Sequence, residues 1–286
     1  MPSTNDATHY PLKRDFQASA RLNLQHQAWL LTTGHLLNPA IELPPDALIA
    51  DIGCGTGIWS LSLSQKLPPG CRIEASDISL AQAPPEPWWP SNVSFRTLDV
   101  FEDPLPDELI GRYDVIHIRL FVFVIASGNP IPLFKNLMKL LKPGGWLQWQ
   151  EYDNSEVRTL VAHPGQQATA LQAVLDEFKA LQSQVTTSGS WVSDFHEKIK
   201  TADMGAELVV HERSWTAKEA LMIWQDCSSL GQREWCDALR QRGGEMASIA
   251  EKLEAMIVEA ERECLESGRG ILIDGKYVTW AIKKQE

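Results

Sequence analysis

The rhythm of apolar and polar positions changes twice along the chain. Residues 1–40 read as a polar tail followed by a helix, "DFQASARLNLQHQAWLLTTGHLL", which Pro39 and then the Pro44, Pro45 turn bring to a close. From residue 47 to about 153, short runs rich in β-formers ("ALIADI", "CRIEAS", "NVSFRTL", "YDVIHI", "WLQWQEY") alternate with helical or loop segments. That alternation predicts β-α units around a parallel sheet. Beyond it, residues 165–182 read as a helix, 206–214 as a strand and 216–267 as a long helical region. Within that region Ile249, Leu253, Met256, Ile257, Ala260 and Cys264 share one helical face. "KYVTWAI" supplies a closing strand. The predicted organisation is a helical lid over 1–40 and an α/β domain over 41–286 that carries a helical insertion at about 216–267.

The chemistry concentrates where the first strand ends, in "LIADIGCGTGIW". Glycines at a strand-to-helix turn let backbone pass close to a ligand, so Gly53, Gly55 and Gly57 mark a ligand turn. Their spacing is G-x-G-x-G, with Ile58 where a dinucleotide fingerprint needs its third glycine. Asp51 leads the turn, and an acid there sits badly beside a pyrophosphate and well beside a cation or a hydroxyl. Asp77 ends the second strand, where a carboxylate can accept from both hydroxyls of a ribose. Asp99 ends the third, where it can accept from an adenine amine between apolar walls at Val100 and Phe101. Three acids at three successive strand ends describe an adenosine with a positively charged tail.

With these residues in place, the sequence resembles the class I S-adenosylmethionine-dependent methyltransferases. "DIGCGTGIW" is similar to their first motif, "SDIS" to their ribose acid, "LDVF" to their adenine acid, "YDVIHIRL" to their fourth strand and "LLKPGGWLQWQE" to their fifth-strand segment. "RDFQASARLNLQHQAW" together with "SNVSF" and "LKPGGWLQWQEYD" is similar to the fungal natural-product methyltransferases. The likeness covers roughly residues 10–155. It implies a Rossmann-like fold, with a seven-stranded, mostly parallel sheet and helices on both faces. It implies S-adenosyl-L-methionine as cofactor, held by Arg21, Asp51, Gly53, Cys54, Gly55, Asp77, Ile78, Asp99, Val100, Phe101 and Arg119. Arg21 and Gln25 share a face of the first helix, and an arginine there can hold the methionyl carboxylate.

Composition narrows the partners. The 286 residues are 44% apolar and 22% charged, enough for a sizeable core. The net charge of −11 argues against a nucleic-acid surface. No window suits a membrane span and the first residues are too polar for a secretory signal, so the expected address is the cytosol. The five cysteines lie without C-x-x-C pairs or companion histidines, which predicts reduced thiols and no metal site. The expected partner is a small-molecule acceptor, and the oligomeric state stays open. The Asn/Asp-Pro-Pro-aromatic run of N-methyltransferases acting on planar amines is replaced by "HIRLFVF", so an oxygen on a small, largely apolar metabolite leads, with nitrogen, sulfur and carbon open. A regulator without catalysis and a rearrangement enzyme on the same fold are the rival readings.

Two histidines are candidates for taking up an acceptor proton. His163 is expected on a loop after the fifth strand, and His26 on the lid helix, where it can equally be a packed residue. His117 reads as a satisfied core histidine, Glu151 as an acceptor contact or a turn cap, and Arg119 as a residue of the cavity mouth or of a structural ion pair. Most of the 11 tryptophans belong to the core, and some can line an apolar acceptor site.

Overall fold

The computed structural model describes residues 12–125, 127–185, 191–201 and 204–286. Its elements follow in the order α1 (Phe16–Thr33), β1 (Leu48–Ile52), α2 (Ile58–Ser64), β2 (Arg72–Asp77), β3 (Val93–Thr97), β4 (Tyr113–Arg119), α3 (Ile131–Leu140) and β5 (Leu141–Val161). Then come α4 (Thr169–Val185), α5 (Trp191–Thr201), β6 (Ala206–Trp215), α6 (Leu221–Arg242), α7 (Gly244–Glu266) and β7 (Ile271–Lys284). The strands form one seven-stranded sheet in the order β3-β2-β1-β4-β5-β7-β6. Strands β1 to β5 run parallel, and β7 lies antiparallel between β5 and β6. The order reverses between β1 and β4, the crevice where open α/β sheets bind ligands.

Burial explains why these runs became central strands. Ile49, Ala50, Asp51 and Ile52 are buried in β1, as are Val115, Ile116, His117 and Ile118 in β4. Both strands are covered on two faces, the condition that makes a parallel strand read as a continuous apolar run. One face packs Phe134, Leu137, Trp191 and Phe195 from α3 and α5; the other packs Trp59 and Leu63 from α2 with Leu36 and Ile41.

A third apolar cluster lies beside the sheet. It joins Ala28 and Trp29 of α1 to Leu171 and Val174 of α4, to Trp224 and Leu239 of α6, and to Leu253 and Ile257 of α7. The region expected as one long helical stretch is a hairpin of α6 and α7, broken at Gly243 with φ 70°. Arg240 pairs with Glu254 and Arg233 with Glu261, the falling order of two antiparallel helices.

Strand β5 is longer than its sequence pattern predicts. It was expected over 146–152, yet it runs from Leu141 to Val161. After an irregularity between Asp153 and Arg158 it continues pairing, Arg158 opposite Asp274 and Leu160 opposite Leu272. The buried Asp153 carboxylate secures that irregularity, accepting from Ser155 Oγ at 2.5 Å and Arg213 at 2.7 Å. The resulting ribbon extends beyond the carboxyl ends of the parallel strands and supports the third cluster. Among the described residues, no helix is long and apolar enough to cross a membrane.

Candidate functional site

The glycine turn follows directly from β1. Gly53 and Cys54 donate their amides to the Ser76 carbonyl at 2.7 and 3.0 Å, which ties the turn to the end of β2. Gly53, Gly55 and Gly57 have φ of 71°, 54° and 72°, where a side chain is strained. A Cβ on Gly53 would stand 2.6 Å from the Phe121 ring, and one on Gly57 would stand 2.5 Å from Phe95. Gly53 and Gly57 therefore serve ring packing as well as backbone conformation. Gly53 and Gly55 line a cavity of about 180 Å³; Gly57 is not among its walls.

The acids at the strand ends face this cavity. Asp77 Oδ2 accepts from Gly55 N at 3.0 Å and Oδ1 from Ser79 N at 3.1 Å, so both oxygens are held by backbone amides with a lone pair to spare. Burial pushes its carboxyl above the usual aspartate range, against those two amides. Asp99 Oδ1 accepts from Phe101 N at 2.9 Å. Ile78, Val100 and Phe101 supply apolar wall beside them, and Cys54, Arg21 and Arg119 also line the space. Burial drives the Cys54 thiol up, which keeps it protonated and inert.

Asp51 is spent inward. Its Oδ2 accepts from Ser60 Oγ at 2.6 Å and its Oδ1 from His117 Nδ1 at 2.9 Å, in a nearly solvent-free setting. The His117 ring stacks on Trp59, with centroids 3.8 Å apart and planes 3° from parallel. Its Nε2 lies 3.3 Å from Gln150 Oε1, and the Gln150 amide nitrogen donates to Thr279 Oγ1 at 3.2 Å. Burial lowers the imidazole pKa, overriding the pull of Asp51. His117 is thus a satisfied histidine, but it also forms part of the cavity wall.

Arg119 lines the cavity from the end of β4. Its guanidinium packs over Trp29 at 5.4 Å and stands 3.5 Å from His26 Nδ1, and among the described residues it forms no ion pair. Burial pulls it down to about 10, opposed by the Asp51 charge, so it stays cationic at neutral pH. Arg21, also at the wall, pairs through Nε with Glu234 Oε1 of α6 at 2.7 Å.

The two proposed proton acceptors lie elsewhere. His26 is buried on the inner side of α1, its Nε2 3.2 Å from Ser62 Oγ, and is not part of the cavity wall. Burial and then Arg119 pull it down to about 3, so it packs as a neutral ring. His163 sits exposed past the end of β5, beside neither cavity, because the strand continues well beyond Glu151. Glu151 is fully buried and receives Phe121 N, Val122 N and Trp149 Nε1 at 2.9, 3.2 and 2.7 Å. It caps the short 3₁₀ turn Phe121–Phe123 and touches no cavity. Burial raises its carboxyl to about 8 in spite of those three donors.

A second cavity, about 150 Å³, adjoins the first and shares Leu12, Arg21, Gln25, Leu120 and Phe123 with it. Its own walls include four aromatic rings: Tyr152 from β5, Phe178 from α4, and Trp224 and Trp235 from α6. Trp224 Nε1 donates to Tyr152 Oη at 3.0 Å and their rings lie 4.4 Å apart. Leu120, at the junction, holds φ 62° and ψ 43°, a conformation that costs a non-glycine residue about 1 kcal/mol or more. Its amide is fixed on the Gln150 carbonyl at 2.9 Å. This cavity was missed in the sequence, although Trp224, Cys227, Gly231 and Trp235 fall on one stripe of α6.

A family model described as "Methyltransferase domain" matches residues 27–198, more than half of the chain. The chain belongs to the methyltransferase domain family. Among curated relatives, the methyltransferase grgD of a Penicillium species is 35% identical over 152 residues, which are 50% of this chain and 52% of that protein. The N-methyltransferase tcpN of Claviceps purpurea is 25% identical over 243 residues, covering 80% of this chain and 85% of that one. With grgD, as with the methyltransferase str2 of Strobilurus tenacellus, the match spans about half the relative's length. The structure of a phosphoethanolamine N-methyltransferase from Haemonchus contortus aligns with a TM-score of 0.51 at 15% identity, over 91% of this chain and 53% of that one. It shares the fold.

The methyltransferase domain fold takes S-adenosylmethionine as cofactor, and the donor set here fits it. Two carboxylates stand ready to accept from hydroxyls and an amine, apolar side chains flank them, and a cation lies on the same wall for an acidic tail.

Proposed function

We propose that this methyltransferase transfers a methyl group from S-adenosylmethionine to a small, largely apolar acceptor seated in the aromatic cavity. The observation that carries this reading is the adjacency of two unlike cavities, one lined by glycine backbone and carboxylates, the other by aromatic rings, with Arg21, Gln25, Leu120 and Phe123 common to both. When bound, the cofactor supplies an electrophilic methyl: an acceptor lone pair forms the new bond as the carbon–sulfur bond breaks and its electron pair goes to sulfur.

The chain's own residues do the positioning. Asp77 would hold the ribose hydroxyls and Asp99 the adenine amine, with Ile78, Val100 and Phe101 against the base. Arg119 is the better candidate for the carboxylate tail, because Glu234 already occupies the Arg21 Nε. Asp51 and His117 brace the glycine turn against β4. Among the described residues, no carboxylate or imidazole lines the aromatic cavity. Alignment and exclusion of water therefore supply the rate, which proximity can do over several orders of magnitude. The acceptor must bring its own lone pair, as a phenolate or a neutral amine does. A phenolic oxygen is the leading nucleophile; an amine is the second reading, favoured by the name of tcpN.

The test is incubation of the purified protein with methyl-deuterated S-adenosylmethionine and a fungal metabolite extract, read by mass spectrometry. A product three mass units heavier than the unlabelled methyl ether or amine is expected. A protein that binds the cofactor yet labels nothing across extracts would support a non-catalytic regulator, and an isomerised, unlabelled product would support a rearrangement enzyme.

A further inference from the structure

The aromatic cavity carries a charge asymmetry that the family reading does not use. The chain has 37 acidic residues against 26 basic ones, yet the described residues lining this cavity include two cations, Arg21 and Lys179, and no acid. The Arg21 charge is answered by Glu234 at 2.7 Å. Lys179 has no such answer: its ammonium donates to the Val157 carbonyl at 3.0 Å, and among the described residues no carboxylate pairs with it.

Position adds direction. Arg21, Gln25, Leu120 and Phe123 belong to the wall shared with the cofactor cavity, whereas Lys179 and Phe178 belong to the aromatic cavity alone. Beside Lys179 the remaining polar lining includes the neutral amide side chains Asn154 and Gln232. One ammonium and neutral amides suit a monoanion with two oxygens. The same cavity is also lined by the rings of Tyr152, Phe178, Trp224 and Trp235.

Resting on the methyl-transfer reading above, we infer that the acceptor is an aromatic carboxylic acid bound with its carboxylate at Lys179 and its ring hydroxyl or amine toward the junction. The carboxylate is an anchor, so the methyl moves from sulfur to the opposite end of the molecule, to a phenolate whose proton has already gone to solvent or to a neutral amine that then sheds one to solvent, and the acid leaves unesterified.

The experiment uses matched pairs: 4-hydroxycinnamate and 4-aminocinnamate, each beside its methyl ester, titrated calorimetrically into the protein saturated with S-adenosylhomocysteine. The acids should bind about two- to fivefold tighter than their esters, the range of an exposed ion pair, and the gap should close at high salt. Lys179→Met should raise the Kd of each acid to that of its ester and leave the ester unchanged; Lys179→Gln serves if the first variant folds poorly. With active protein, the product should be the ring ether or N-methyl amine with its carboxylate free. Equal binding of acid and ester, binding of neither, or a methyl ester product overturns the inference. Failure of S-adenosylhomocysteine itself to bind would overturn the underlying reading instead, so the two failures are distinguishable.

Discussion

Replacing Asp77 with alanine probes the carboxylate on which the nucleoside reading depends most. Each oxygen accepts one backbone amide, from Gly55 and Ser79, and keeps a second lone pair. Two ribose hydroxyls would fill those positions with charge-assisted hydrogen bonds. Their loss should cost about 2–4 kcal/mol of cofactor affinity, a rise in Kd of about 30- to 1,000-fold. Titration calorimetry with S-adenosylhomocysteine measures it, with circular dichroism to show that the variant is folded. The pH dependence has a defined sign. Burial raises the free Asp77 carboxyl above its usual value, while hydroxyl donors favour the ionised form, so the bound state has the lower pKa. Fewer protons are bound in the complex, and affinity should fall as pH drops through the raised free value. A folded Asp77→Ala protein with affinity within about threefold of the parent would refute the assignment.

Other substitutions separate packing from chemistry. His163→Ala should leave turnover within about twofold, because the residue is exposed and beside neither cavity; a steady-state assay with any identified acceptor checks it. Glu151, at about 8 when folded and near 4.5 when not, contributes stability that is complete below 4.5 and lost as pH rises through 8, so the melting temperature should decline across that window and decline less in Glu151→Gln. His26 has the opposite sense: with a folded value of about 3 against 6.5, its contribution is present above 6.5 and lost as pH falls toward 3, a slope that His26→Gln should flatten in acid unfolding. Gly57→Ala should cost about 1–3 kcal/mol, read from denaturant midpoints, since φ is 72° and the new Cβ would stand 2.5 Å from Phe95.

What the sequence disclosed depended on how local the signal was. The glycine turn and the three acids are read at fixed offsets from strand ends, and all three acids line one cavity. The strands around them, buried on both faces, announce themselves as apolar runs. The distal half of β5 does not: residues 154–161 carry partly exposed polar side chains, and only pairing with β7, over a hundred residues later, makes them a strand. Mistaking that half for a loop placed His163 near the chemistry. His26 and Glu151 were left open for a different reason. Both are polar residues turned inward, and their partners, Ser62, Arg119 and the Phe121 turn, come from other elements. The aromatic cavity needs α4, α6 and the β5 ribbon together, so composition could suggest tryptophan-lined space without locating it.

A crystal structure of the complex with S-adenosylhomocysteine would test the central claim most directly. The account predicts the ribose hydroxyls on Asp77, the adenine amine on Asp99 between Val100 and Phe101, the carboxylate near Arg119, and the sulfur facing the Leu120–Phe123 junction. A nucleoside lodged among Tyr152, Trp224 and Trp235, or a sulfur turned away from that junction, would contradict it.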